Sequence, residues 1–200
     1  GDQGYPGEVT ATATYTLTND NELRIDYTAT TTKPTVINLT NHNYWNLAGV
    51  GKASVLEHEL MIAADKYVDV GPGLIPNGKL PEVKGTPLDF TKPTKIGARI
   101  EEAKSNKDAN GYDHCYVLRS QDGSLALAAR VKDPASGRVM EIYTTEPGVQ
   151  LYSANHFDGT PNCGGYAQHY AFCLETQHYP DSPNQPSFPS TVLRPGETFK

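Results

Sequence analysis

Leu23, Ile25 and Tyr27 share one face of an extended segment while Glu22, Arg24 and Asp26 share the other. This period of two, repeated along the chain, restricts the fold more than any other feature of the sequence. Residues 10–17 precede that segment, and Asn19, Asp20 and Asn21 between the two supply turn chemistry, so 10–17 and 22–29 are read as a hairpin. Segments rich in Thr, Val, Ile and Tyr predict further strands at 35–41, 59–63, 115–118, 125–131, 139–144, 150–154 and 172–176, with turns such as Asp133 to Gly137 between some of them. Only residues 94–103, where Ile96 and Ile100 share a face, predict a helix. Many short strands with so little helix predict an all-β fold, an antiparallel sandwich or barrel.

A length of 200 residues favours one large domain over two small ones. The net charge of −6 comes from interspersed acidic and basic residues, which argues against a nucleic acid or an anionic membrane surface as partner and for a neutral polar ligand. Cys115, Cys163 and Cys173 are odd in number and widely spaced, with no CxxC pair and no matching histidine spacing. Neither a disulfide scaffold nor a zinc site is expected from that pattern, and free thiols favour the cytoplasm. No apolar run approaches the length of a membrane span and no targeting signal is visible. The Pro- and Gly-rich stretches 71–85 and 180–189 read as long ordered loops. Loop-like residues at the start and a strand beginning near Leu193 read as part of a larger domain, whose N-terminal segment and last strand or strands lie outside the 200 residues.

Three places carry candidate chemistry. If the strand at 35–41 continued, Asn38, Thr40, His42 and Tyr44 would form one polar face, as a cleft for a polyhydroxylated ligand needs; an ordinary solvated strand face reads the same way. Glu175 is a single carboxylate in the otherwise apolar run Phe172-Cys173-Leu174, where burial would raise its pKa toward the range useful for proton transfer, unless an Arg or Lys pairs with it. Asp113 precedes the strand at 115 and serves either to accept hydrogen bonds from a ligand or to cap a turn; Gln150 and Tyr152 offer an amide and a ring at a loop-to-strand junction. His58, His156, His169 and His178 lack ligand-like spacing and read as structural or surface residues. No glycine-rich loop opens a helix, so nucleotide binding is disfavoured.

Taken in order, Gly4-Tyr5-Pro6-Gly7, Asn38-Leu39-Thr40-Asn41-His42 with Tyr44 and Asn46, Gly111-Tyr112-Asp113-His114, Thr145-Glu146-Pro147-Gly148-Val149-Gln150, Phe172-Cys173-Leu174-Glu175-Thr176-Gln177 and Leu193-Arg194-Pro195-Gly196-Glu197 resemble the motifs of the galactose mutarotase (aldose 1-epimerase) family along nearly the whole chain. The resemblance implies a large antiparallel β-sandwich, a supersandwich, with a sugar cleft on one concave sheet. It implies His42 as general acid and Glu175 as general base, with Asp113 and Gln150 binding sugar hydroxyls, in an enzyme that interconverts the anomers of galactose or glucose without cofactor or metal, as a monomer or weak dimer. An Arg and a second His that the family uses match no residue here. The alternatives are a non-catalytic carbohydrate-binding module, or a phosphosugar epimerase or sugar sensor of the same fold.

Overall fold

The computed structural model describes residues 2–200, and among them every strand pairing is antiparallel. In chain order the strands are β1 (Val9–Leu17), β2 (Leu23–Thr31), β3 (Thr35–Val36), β4 (Glu59–Ile62), β5 (Ala64–Tyr67), β6 (Thr94–Lys95), β7 (Asp113–Leu118), β8 (Ala126–Lys132), β9 (Val139–Thr144), β10 (Gly148–Tyr152), β11 (Cys173–Gln177) and β12 (Val192–Leu193). The one α-helix among the described residues, α1 (Ile100–Ala103), continues a 3₁₀ turn over Ile96–Arg99. Ile96, Ile100 and Ala103 are all buried, which explains the shared apolar face read from sequence, but the strand residues Thr94 and Lys95 occupy what was expected to be the helix start. None of the helices among the described residues is long and apolar enough to cross a membrane.

Two four-stranded sheets, ordered β11-β10-β7-β5 and β6-β4-β8-β9, bury a shared core between them. Leu60, Ile62 and Val131 from one sheet meet Tyr116, Leu118, Val149, Leu151 and Leu174 from the other, and this desolvated apolar surface is the main term holding the sandwich together. The predicted strand at 59–63 forms as β4, and the chain then continues past Ala63 into β5, which was not predicted and joins the other sheet. Ala63 is the corner: its N–H donates to Ala128 on β8 and its carbonyl accepts from Arg119 just past β7, both at about the ordinary length (2.8 and 2.9 Å). An extended run of one sequence character thus serves both layers.

The hairpin forms as expected, with Leu17 opposite Leu23 and Tyr15 opposite Ile25. Its turn is closed by the Thr18 hydroxyl, which accepts from the N–H groups of Asp20 and Glu22, and by Asn21 in the left-handed region. β1 is exposed along its whole length, and Tyr15, Leu17 and Leu23 present apolar surface to solvent.

Backbone geometry at Gly111 sets the start of β7. Its φ of +146° is open to glycine, and a Cβ there would fall 2.2 Å from Asn155 Oδ1 and 3.0 Å from Ser153 Oγ. Those two side chains form a buried network: Ser153 Oγ accepts from the Tyr112 N–H and donates to Asn155 Oδ1, while Asn155 Nδ2 donates to the carbonyls of Ala109 and Tyr112. Gly111→Ala is therefore expected to destabilise the protein by about 2–4 kcal/mol, a fall in melting temperature of roughly 5–15 °C by calorimetry, through backbone strain and disruption of that network.

Candidate active site

Strand β10 lies between β7 and β11, and its register brings the polar residues together. Gln150 sits opposite Cys115 on one side and Glu175 on the other; one row along, Tyr152 sits opposite Asp113 and Cys173. Val149 and Leu151 alternate into the core, so the opposite face carries Asp113, Cys115, Gln150, Tyr152, Glu175 and Gln177 around a cavity of about 480 Å³. This size suits a small polar ligand. His42, Tyr44 and His156 complete the wall, with Val70 and, from the 71–85 loop, Leu74.

His42 arrives by a route the period-two reading missed. Strand β3 ends at Val36, and after Ile37 donates to Thr191 the backbone of residues 38–44 makes no backbone–backbone hydrogen bond among the described residues until Trp45 pairs with Phe172. Side chains hold the segment instead. Asn38 donates to the carbonyl and accepts from the N–H of His178, both at 3.0 Å, and Asn41 donates to the Tyr15 hydroxyl on the hairpin at 2.8 Å. The expected polar strand face is thus corrected: Asn38 faces His178, the Thr40 hydroxyl is buried, and only His42 and Tyr44 of that set reach the cavity.

His42 Nε2 lies 3.4 Å from Glu175 Oε1, with the imidazole half exposed and the carboxylate almost fully buried. Among the described residues Glu175 has this histidine, and no lysine or arginine, as its charged partner. Burial is the largest influence on Glu175 and raises its pKa; the His42 charge opposes the shift and Asp113 adds to it. Asp113 is likewise raised, chiefly by burial, against the hydrogen bond it accepts from Gln150 Nε2 at 2.6 Å. Asp113 opens β7 instead of sitting in a turn before it. Gln150 Oε1 is buried and has no partner among the described residues, which leaves an acceptor for a ligand hydroxyl. The neighbouring thiol of Cys173 is fully buried and raised by that burial, so it is neutral beside the carboxylate.

Of the four histidines read as structural or surface, three fit that reading. His58 accepts from the Leu47 N–H, His169 bonds the Ser153 carbonyl, and His178 meets Glu146 at 2.6 Å. His156 differs: it lines the cavity and stacks on Tyr152. Its position follows from the turn after β10, where Ala154 takes a positive φ, and spacing alone carried no signal of it.

An antiparallel β protein that sets an imidazole against a desolvated carboxylate in an open polar cavity has the groups that can exchange protons with a polar ligand. The chain belongs to the aldose 1-epimerase family, whose model matches residues 1–200. It is 45% identical over 202 residues to galactose mutarotase of Mus musculus and 40% identical over 203 residues to aldose 1-epimerase of Escherichia coli K12, covering 100% of this chain and 57% and 58% of those proteins. The chain therefore spans a little over half the length of these relatives. Among solved structures, the GalM/aldose epimerase homologue from C. elegans superposes with a TM-score of 0.85 at 32% identity, covering 99% of this chain and 59% of that one. Galactose 1-epimerase from Lactobacillus acidophilus gives 0.82 at 28% identity, over 99% of this chain and 56% of that one.

Desolvation of Glu175 has a consequence for stability. Because its folded pKa is raised above the unfolded value, the folded state binds the proton more tightly, and stability is lost as pH rises through the folded pKa. Glu175→Gln is expected to raise the melting temperature at pH 7 relative to wild type. The difference should shrink as the pH is lowered to where Glu175 is protonated, as a calorimetric pH series would read.

Proposed function

We propose that the protein carrying this chain is an aldose 1-epimerase that interconverts the α and β anomers of free aldohexoses such as galactose and glucose. The observation that carries the reading is the 3.4 Å approach of His42 to a buried Glu175 within a cavity of sugar size. Glu175 takes the proton from the C1 hydroxyl while His42 protonates the ring oxygen, and the C1–O5 bond opens. Rotation about C1–C2 and closure on the other face of the aldehyde, with both protons returned, give the other anomer. Asp113 and the unpartnered Gln150 Oε1 accept from sugar hydroxyls, and Tyr44 and Tyr152 offer apolar ring faces to the sugar. Among the described residues that line the cavity there is no lysine or arginine, so a free sugar fits this wall better than a phosphosugar. The remaining contacts to the sugar, including any cation, come from the rest of a single domain of which these residues are part. The three unbonded cysteines accord with residence in the cytoplasm.

Polarimetric relaxation of freshly dissolved α-galactose by the full-length protein tests this. Glu175→Gln and His42→Gln are each expected to slow the catalysed relaxation by about 10²–10⁴-fold. The wild-type rate should fall with acidity at a pH above the ordinary carboxylate range, because the base works only when ionised and burial raises its pKa. Sugar binding without accelerated relaxation would replace the enzyme with a carbohydrate-binding module.

Asn38 acts on His42 through the backbone it holds. Asn38→Ala is expected to lower kcat roughly ten- to hundredfold while KM changes little, since a small misplacement of the acid affects the reaction more than the binding of the sugar. A change confined to KM or to stability would assign Asn38 a purely structural role.

A further inference from the structure

His42, distant in sequence, converges on Cys173 and Glu175, which share one face of β11: one nitrogen, one sulfur and one oxygen ligand atom lie within 4.8 Å of one another. From this geometry we propose that the three residues form a binding site for a soft or borderline divalent cation such as Zn²⁺, and that the cation competes with the sugar. The competition clause rests on the proposed function; the binding clause does not. Spacing along the chain disfavoured a zinc site because the ligands come from the irregular segment 38–44 and from β11, two elements that only the fold brings together.

The argument begins with distance. Two nitrogen or oxygen ligands on one tetrahedral zinc stand about 3.3 Å apart, given bond lengths of about 2.0–2.1 Å. His42 Nε2 and Glu175 Oε1 are already at 3.4 Å. The thiol completes a three-ligand set of the catalytic-site type, leaving a fourth position toward the cavity for water. No pair of these atoms is more than 4.8 Å apart, so the sulfur needs to close by at most roughly 1.3 Å, since sulfur and nitrogen on one zinc stand about 3.5 Å apart. The half-exposed imidazole of His42 has room to turn toward the sulfur.

Charge and chemistry point the same way. Asp113 and Glu175 are both carboxylates on this wall, so its side chains attract an incoming cation. A mixed nitrogen, sulfur and oxygen set selects Zn²⁺, Co²⁺ or Cd²⁺ over Mg²⁺ and Ca²⁺, which take all-oxygen ligands. Binding converts the Cys173 thiol to a thiolate and releases its proton to solvent, with no change of oxidation state. The cation occupies the lone pairs of His42 and Glu175 that the sugar reaction needs, so the two ligands exclude one another.

Titration of the metal-free full-length protein with Co²⁺ tests the site without reference to activity. A near-ultraviolet thiolate-to-cobalt charge-transfer band is expected in wild type and should be absent in Cys173→Ser, which keeps Cys115 and Cys163. In the relaxation assay Zn²⁺ should inhibit reversibly and competitively with sugar, chelator should restore the rate, and Mg²⁺ should have no effect. Cys173→Ser should raise the inhibitory Zn²⁺ concentration roughly ten- to hundredfold, since even the supporting partners of a metal site alter affinity on that scale. Absence of the band in wild type, or its persistence in Cys173→Ser, overturns the site. Zn²⁺ inhibition that is non-competitive, or unchanged in Cys173→Ser, overturns the competition. Failure of wild type to relax sugar at all refutes the proposed function and leaves the cobalt result to decide the site.

Discussion

Side chains alternate across a strand, so the register of β10 between β7 and β11 decides whether Gln150 and its neighbours face the cavity or the core. A slip of one residue would turn Val149 and Leu151 toward the cavity and bury Gln150 among apolar groups. The cost of burying that amide without partners, together with the lost contacts of Val149 and Leu151, keeps the register in place. The core and the cavity are the two faces of the same pairing. Gly111 belongs to this constraint, because only a residue without a Cβ lets β7 start where Asp113 can meet Gln150.

Within that frame the buried carboxylates are a compromise. Glu175 sits on a strand whose flanking residues Cys173 and Leu174 are buried, and desolvation works against its ionised form. A lysine or arginine partner would cancel the penalty and return the pKa to the ordinary range, removing the basicity that proton transfer requires. The half-exposed imidazole of His42 compensates only in part. Stability is given up at a position where the proposed reaction would use the charge.

How much of this was legible in the sequence depends on the range of the interactions. The β10 and β11 segments were readable from local alternation, and with them the unusual burial of Glu175, because the strand period and one polar residue in an apolar run are local facts. His42 was readable from its motif but its surroundings were not: the period of two carried past Val36 into a segment that is extended without pairing, held by Asn38 and Asn41 to residues distant in sequence. The change of sheet at Ala63, and β5 beyond it, went unread, since an alternating pattern is the same whichever layer receives it. Cys173 and Glu175 share a face by the strand period, but the approach of His42 to them had no local signature.

The same contrast separates the two proton-handling groups mechanically. Glu175 is fixed by the backbone pairing of β11 with β10 and cannot shift without breaking the register. His42 hangs from a stretch braced by side chains, one of which reaches Tyr15 on a hairpin strand that is exposed throughout. Side-chain braces yield more readily than a ladder, so adjustment of the distance between imidazole and carboxylate falls to the histidine side. Under the proposed mechanism, a base that stays in place and an acid that can move by fractions of an ångström suit a reaction in which the proton acceptor at the hydroxyl is fixed while the ring oxygen swings away as the ring opens. In both proposals His42 is the group that adjusts, toward the ring oxygen in one and toward the Cys173 sulfur in the other.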